Sequence, residues 1–244
     1  MRFDEVDDPR RRLLIEALAL GVIAAGLPAG NALAQGLLGS RPGRLPPGRS
    51  IYRIKGTASV NGKPATLETV IRPGDTVATG KDSELVFAVG GHAMILRNDT
   101  RMVIQGDPRD ALSLVISLVR IVTGALLSVS RDTATRIITP TATIGVRGTG
   151  WYAEANPEQT YFCTCYGTTD VTAANDPASR TTVVSKHHDR PLYVLGKGPS
   201  GGSIRNAPFI NHTDQELMLI EAIVGREPPF VFSKDIYTGP RREY

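Results

Sequence analysis

This chain of 244 residues has only two cysteines and four histidines. Two thiols cannot build the disulfide framework of a small secreted scaffold, and a chain of this length can bury a core without one. Aromatic residues make up 6%, with a single tryptophan, a thin supply of rings for a carbohydrate-binding face. An excess of charge is missing as well. There are 28 Lys+Arg against 24 Asp+Glu, +4 overall, and most basic residues stand singly, so no footprint for nucleic acid is present. No H-E-x-x-H and no G-x-x-x-x-G-K-[ST] phosphate loop occurs, and context singles out no acidic pair, so the chain is not expected to be an enzyme.

What is present begins with an address. Arg10-Arg11-Arg12 precede Leu13 to Leu27, apolar but for Glu16, and Ala32-Leu33-Ala34 supplies the small residues of a cleavage site. Residues 1–34 are therefore expected to be an export signal, directing a periplasmic location. A span needs about 20 mostly apolar residues, and Glu16 and Pro28 interrupt this one, so no stable membrane span is expected in the mature form. The paired arginines fit a twin-arginine signal, although Asp4, Glu5, Asp7 and Asp8 ahead of them are atypical. Residues 35–50 contain Arg41-Pro42-Gly43-Arg44 and Pro46-Pro47-Gly48 and read as a linker.

From Ile51 the pattern is short β-branched runs separated by turns, with 25 glycines and 17 prolines in the whole chain. Asn61-Gly62 is a strong hairpin signal, with Leu67 to Ile71 as the expected return strand, and Arg72-Pro73-Gly74-Asp75 is a second turn. Leu85 to Val89 and Ala93 to Leu96 flank Gly90-Gly91, and His92 is read as a turn residue. Leu112 to Val129 is apolar but carries Arg120 and Gly124. Its β-branched content predicts two buried strands instead of a span. The run Ile137 to Tyr152 places Gly145, Gly148 and Gly150 in a strand-like stretch, the pattern of a bulge or a close backbone approach. Residues 51–195 are thus predicted to form an all-β domain. Residues 196–244 would hold a flexible glycine-rich loop, one helix over about 214–224 announced by the capping box Thr213-x-x-Glu216, and an extended tail.

Two patterns carry chemistry. Cys163 and Cys165 share one face of a strand, too far apart for an easy mutual disulfide. If the turn near Pro177 closes a hairpin, Cys165 lies opposite about Asp189, close to His187 and His188, and His212 can approach from the segment before the helix. Thiolates with neutral imidazoles suit Zn(II) or a copper ion. Against this, adjacent histidines on a strand face opposite ways, and the thiols could instead be small buried hydrophobes or form an intermolecular disulfide. The second pattern is Arg147 beside Gly148 and Thr149. It suits an anion but equally a structural brace, with Arg147 satisfying carbonyls at a strand bend.

Gly56–Val60, Ile71 to Gly80 with Gly74-Asp75, the paired strands around Gly90-Gly91, Leu118 to Val129, and above all Thr139 to Thr149 with Val146-Arg147-Gly148-Thr149 resemble, in that order, the FecR domain. The resemblance implies a periplasmic, all-β, solenoid-like or twisted-sheet module that works by binding and signalling. Membrane-bound members control a sigma factor through a cytoplasmic domain. Only about a dozen residues precede the apolar segment here, so no sigma factor is expected as partner. The expected function is a non-catalytic binding or signalling module for an envelope protein or small ligand. Two alternatives stay open: a metal-binding or redox-active exported protein using the Cys/His cluster, and a structural protein binding envelope polysaccharide.

Overall fold

The computed structural model describes residues 43–230 apart from 108, 109, 111, 112, 132 and 133. The expected export signal (1–34), the first part of the linker and the end of the tail (231–244) lie outside the described residues. No helix among the described residues is long and apolar enough to cross a membrane.

Among the described residues the fold is all-β, one sheet of 14 strands with a single short helix. β1 (Ile51–Lys55) pairs with β5 (Glu84–Val89), and β5 pairs with β6 (His92–Leu96) across the Gly90-Gly91 turn. Every described pairing is antiparallel except that of β8 (Leu118–Val129) with β9 (Ala134–Ile138). Such a largely antiparallel ladder does not display the stacked parallel coils of a solenoid.

Asn61 and Gly62 both take positive φ, 52° and 78°, as a two-residue hairpin turn requires. They join β2 (Ala58–Val60) to β3, which is only Lys63–Pro64. The expected return strand at residues 67–71 does not form. Leu67 is exposed, and Ile71 is instead buried with its amide donating to the Ser50 hydroxyl at 3.0 Å.

Three long strands organise the molecule: β8, β10 (Ala142–Ala155) and β11 (Gln159–Ala173). Each serves different neighbours with its two halves. Residues 118–123 of β8 face β7 (Arg101–Gln105), whereas residues 124–129 face β10. The region expected to hold two strands is therefore one strand bent at Gly124, preceded by a loop. Gly124 has φ +92°, and a Cβ there would lie 2.4 Å from the Thr100 Cα; only glycine fits both the backbone and the space. The run Ile137 to Tyr152 contains the expected irregularity. The β10–β11 register shifts between Arg147 and Gly150 and again between Gly150 and Trp151.

Strand alternation then feeds two apolar clusters. Leu85, Phe87 and Val89 of β5 enter the larger, around Trp151 and Phe162, while Val86 and Ala88 enter a second with Ile95, Leu127, Tyr152 and Tyr161. With both faces covered, the whole of β5 is buried and reads as an unbroken apolar run. The second cluster is completed by α1 (Asp214–Ile223), through Leu217, Ile220 and Ile223. Both hydrogen bonds of the capping box are present, between the Thr213 side chain and the Glu216 amide and between the Glu216 carboxylate and the Thr213 amide. β13 (Leu192–Leu195) ends where the β pattern was expected to stop, but β14 (Ile204–Asn206) pairs beyond it.

His92 is a strand residue and not a turn residue, opposite Val89 and 3% exposed. Burial, then the charge of Arg226, lowers its pKa to about 4. The unfolded chain takes up a proton near pH 6.5 and the folded chain does not, so stability falls with pH between about 6.5 and 4. The loss should approach roughly 3 kcal/mol by pH 4. Denaturant unfolding of the natural chain and of His92→Gln across this range checks it, and the variant should lose most of that slope.

Candidate metal centre

β11 carries both cysteines, and each is a buried free thiol. Gly150 pairs with Tyr166 and Trp151 with Thr164, so Cys165 is the extra residue of a bulge. A bulge turns consecutive side chains to one side. Cys163, Cys165 and Tyr166 all lie in the second apolar cluster, and the shared face expected of the two cysteines is observed.

The hairpin that returns toward them turns at Ala174 and Asn175, ahead of Pro177. β12 (Asp176–Ser185) starts at once, and the register jumps from Ala173 opposite Asp176 to Thr172 opposite Arg180. The earlier turn shifts the point facing Cys165 back from the expected Asp189, and the three residues absorbed by the irregularity return it to the histidine pair. The His188 amide donates to the Cys165 carbonyl at 2.9 Å.

His187 and His188 do not lie on a strand. They occupy a bend after β12 in which His188 takes φ 53°, so the objection that neighbouring rings must face opposite ways does not apply. Both rings turn to the same carboxylate: His187 Nε2 is 3.0 Å and His188 Nε2 3.1 Å from Asp214 Oδ1. Asp214, the first residue of α1, was not among the residues picked from sequence. Its only signal was its position directly after the helix cap and two residues from His212.

The remaining ring nitrogens converge on the sulfurs. His188 Nδ1 lies 3.4 Å from Cys163 Sγ and 3.2 Å from His212 Nε2. One ligand atom from each of Cys163, Cys165, His188 and His212 falls within 4.8 Å of all the others. His187, His188 and Asp214 form a second group of the same tightness, which shares His188. The five residues singled out in the sequence are therefore together, with His187 on the outer side and its side chain 43% exposed. His212 is held in place by stacking on Tyr152, with ring centroids 4.5 Å apart, and its Nδ1 donates to the Ile210 carbonyl at 2.7 Å.

The electrostatics of the cluster divide the two thiols. Burial alone would raise the Cys163 pKa, but hydrogen bonds from Cys165, His188 and His212 outweigh it and hold the thiol well below its usual range. Cys165 is pushed well up, by burial first and then by donating its S–H to Cys163. Burial opposes charge on His188, yet its hydrogen bonds to Asp214 and Cys163 raise its pKa. Asp214 is lowered: burial opposes this, and the two histidines prevail. The arrangement is a buried cysteine sulfur and a carboxylate bridged by an imidazole.

The other marked residues are structural. Gly74 takes φ +104°, and the Asp75 carboxylate joins two turns by accepting from Asn61 Nδ2 and the Arg72 amide, each at 2.7 Å. Val146 and Thr149 are buried, and a Cβ on Gly148 would lie 2.8 Å from the Arg131 carbonyl. Among the described residues, Arg147 reaches no strand-bend carbonyl. It pairs with Asp170 at 2.6 Å in an open groove that also contains Arg136, so its charge is met by this chain. Gly196 to Gly202 spells both G-x-G-x-x-G and G-x-S-x-G. It is a loop between β13 and β14 with no helix following, so neither a phosphate cradle nor a nucleophile elbow is formed.

No family model matches the chain, and no curated protein matches it. Two crystal structures of candidate anti-sigma factors from Parabacteroides distasonis are similar in part. One, at 2.50 Å resolution, has a TM-score of 0.42 at 17% identity, covering 54% of this chain and 58% of its own. The other, at 1.65 Å, has a TM-score of 0.43 at 16% identity, covering 68% and 82%. The chain thus spans little more than half the length of the first. A likeness of this degree carries no functional argument.

An exposed pair such as Arg147–Asp170 contributes little to stability. Arg147→Ala should shift the melting temperature by no more than about 2 °C and leave the circular dichroism spectrum unchanged, as thermal unfolding will show.

Proposed function

We propose that this chain is a non-catalytic, exported binding module that holds one zinc ion through Cys163, Cys165, His188 and His212. One observation carries the reading. Each imidazole already has its other nitrogen engaged, His188 Nε2 on the Asp214 carboxylate and His212 Nδ1 on a backbone carbonyl. Each ring therefore presents a single nitrogen toward the sulfurs. This is how ligating histidines are oriented in zinc proteins. Bond lengths of about 2.3 Å to sulfur and 2.0 Å to nitrogen place tetrahedral ligands roughly 3.3–3.8 Å apart, and the separations of 3.4 and 3.2 Å at His188 Nδ1 are of that size.

Two sulfurs with two nitrogens favour Zn(II). Four protein ligands leave no position for water or substrate, which marks a structural site and supports the non-catalytic reading. The signal-like sequence of residues 1–34 and the resemblance to the FecR domain support an envelope location and a role in binding or signalling. The polysaccharide alternative has little support, because Tyr52 is the only aromatic among the exposed large hydrophobic residues described.

Elemental analysis of purified protein should find about one zinc per chain, and almost none in the Cys163→Ser/Cys165→Ser double variant. Asp214→Asn should weaken zinc affinity by roughly 10–100-fold without abolishing it. Zinc at 100 times its dissociation constant should raise the melting temperature by roughly 5–10 °C. Equal, near-zero metal in the natural chain and the double variant would end the proposal, and copper in place of zinc would replace the assigned ion.

A further inference from the structure

We infer, on the basis of the zinc reading above, that the ion acts as a latch that holds residues 207–225 against the sheet. The four ligands do not come from one side. Cys163, Cys165 and His188 belong to β11 and the bend after β12, whereas His212 lies two residues before α1, beyond the glycine-rich loop and the three-residue β14. With the segment docked the site has four ligands, and with it undocked only three. An ion shifts an equilibrium by the difference in its affinity for the two states, and here that difference is one imidazole together with the Asp214 carboxylate that orients His188.

The segment needs such help. α1 has ten residues, too few to persist alone in water. The segment's fully buried apolar hold on the second cluster is Leu217, Ile220 and Ile223, with Ala207, Phe209, Ile210, Leu219 and Val224 packed half-buried against the same cluster. The other attachments are polar: Glu216 on Arg97 at 2.8 Å, Glu221 on Tyr166, and Asn211 on Glu154. Each of those can be replaced by water when the segment lifts. A zinc ion left with the two sulfurs and the His188 ring takes water as its fourth ligand, a weaker one than the His212 imidazole it replaces.

Hydrogen exchange read by mass spectrometry on the full chain, zinc-loaded and EDTA-treated, tests the latch, with zinc content measured on the same samples. Chelation should speed exchange of the amides of residues 214–223 by about tenfold or more while the amides of β5, β6 and β8 keep their protection. His212→Ala, which keeps three ligands, should show the fast exchange even with zinc added. So should Cys163→Ser/Cys165→Ser, in which the helix side is untouched. If one zinc is bound and helix exchange does not respond to its removal, the latch is overturned and the zinc site stands. If sheet and helix amides open together, the ion stabilises the whole fold and the latch is overturned. If no zinc binds, both readings fall.

Discussion

A buried charge must be matched, and that requirement fixes how α1 lies on the sheet. Arg97, 5% exposed, holds Glu84 at 2.9 Å with one nitrogen and Glu216 of the helix at 2.8 Å with another. At the other end Glu221, fully buried, takes Arg131 at 3.1 Å, Arg226 at 2.7 Å and the Tyr166 hydroxyl. Removing one member of such a pair leaves an ion stranded in low dielectric, which costs several kcal/mol. Three apolar side chains could tolerate rotation or sliding of the helix. The two carboxylates cannot, because each has a specific partner in the sheet or beside it. Asp214, placed by the same constraint, brings His212 within reach of β11.

The parts of this arrangement that follow local rules were legible in the sequence. The capping box set the start of α1, Asn61-Gly62 set a hairpin, and i, i+2 spacing put Cys163 and Cys165 on one face. What was hidden depends on pairing between distant residues. The bend at Gly124 has its reason in Thr100, which no periodicity connects to it. The turn comes earlier than Pro177 and the irregularity after Ala173 gives back only part of that shift, so counting from Pro177 placed Asp189 where the histidine pair lies. The shared facing of His187 and His188 was hidden, because it goes with a positive φ at His188, uncommon at a residue other than glycine. Asp214 read as an ordinary first-turn acid, favourable near the positive end of a helix. Its part in the cluster exists only once the helix is docked.

The bends in the long strands and the cluster are linked through geometry. β10 is irregular at Gly148 and Gly150, and β11 at Cys165 and Gly167. Gly150 lies against the Tyr166 ring and Gly167 against Thr149, in each case closer than a Cβ would allow. The stretch most like the FecR signature therefore lies outside the cysteine–histidine cluster, but it shapes the strand that carries both thiols. Trp151 and Tyr152 beside it point to opposite clusters, the first stacked on Phe162 and the second on His212.

The bulge at Cys165 also bears on which changes in chain length β11 can accept. Deleting one residue there would restore an uninterrupted ladder with β10 and would suit the backbone. Because Cys165 and Tyr166 already face the same cluster, removing one of them would leave the facing of every other side chain as it is. Removing Thr164 instead would put Cys165 in its place, on the side of Trp151 and Phe162. The sheet would gain regularity in each case, so the extra residue is what lets one cluster hold both thiols and Tyr166 together.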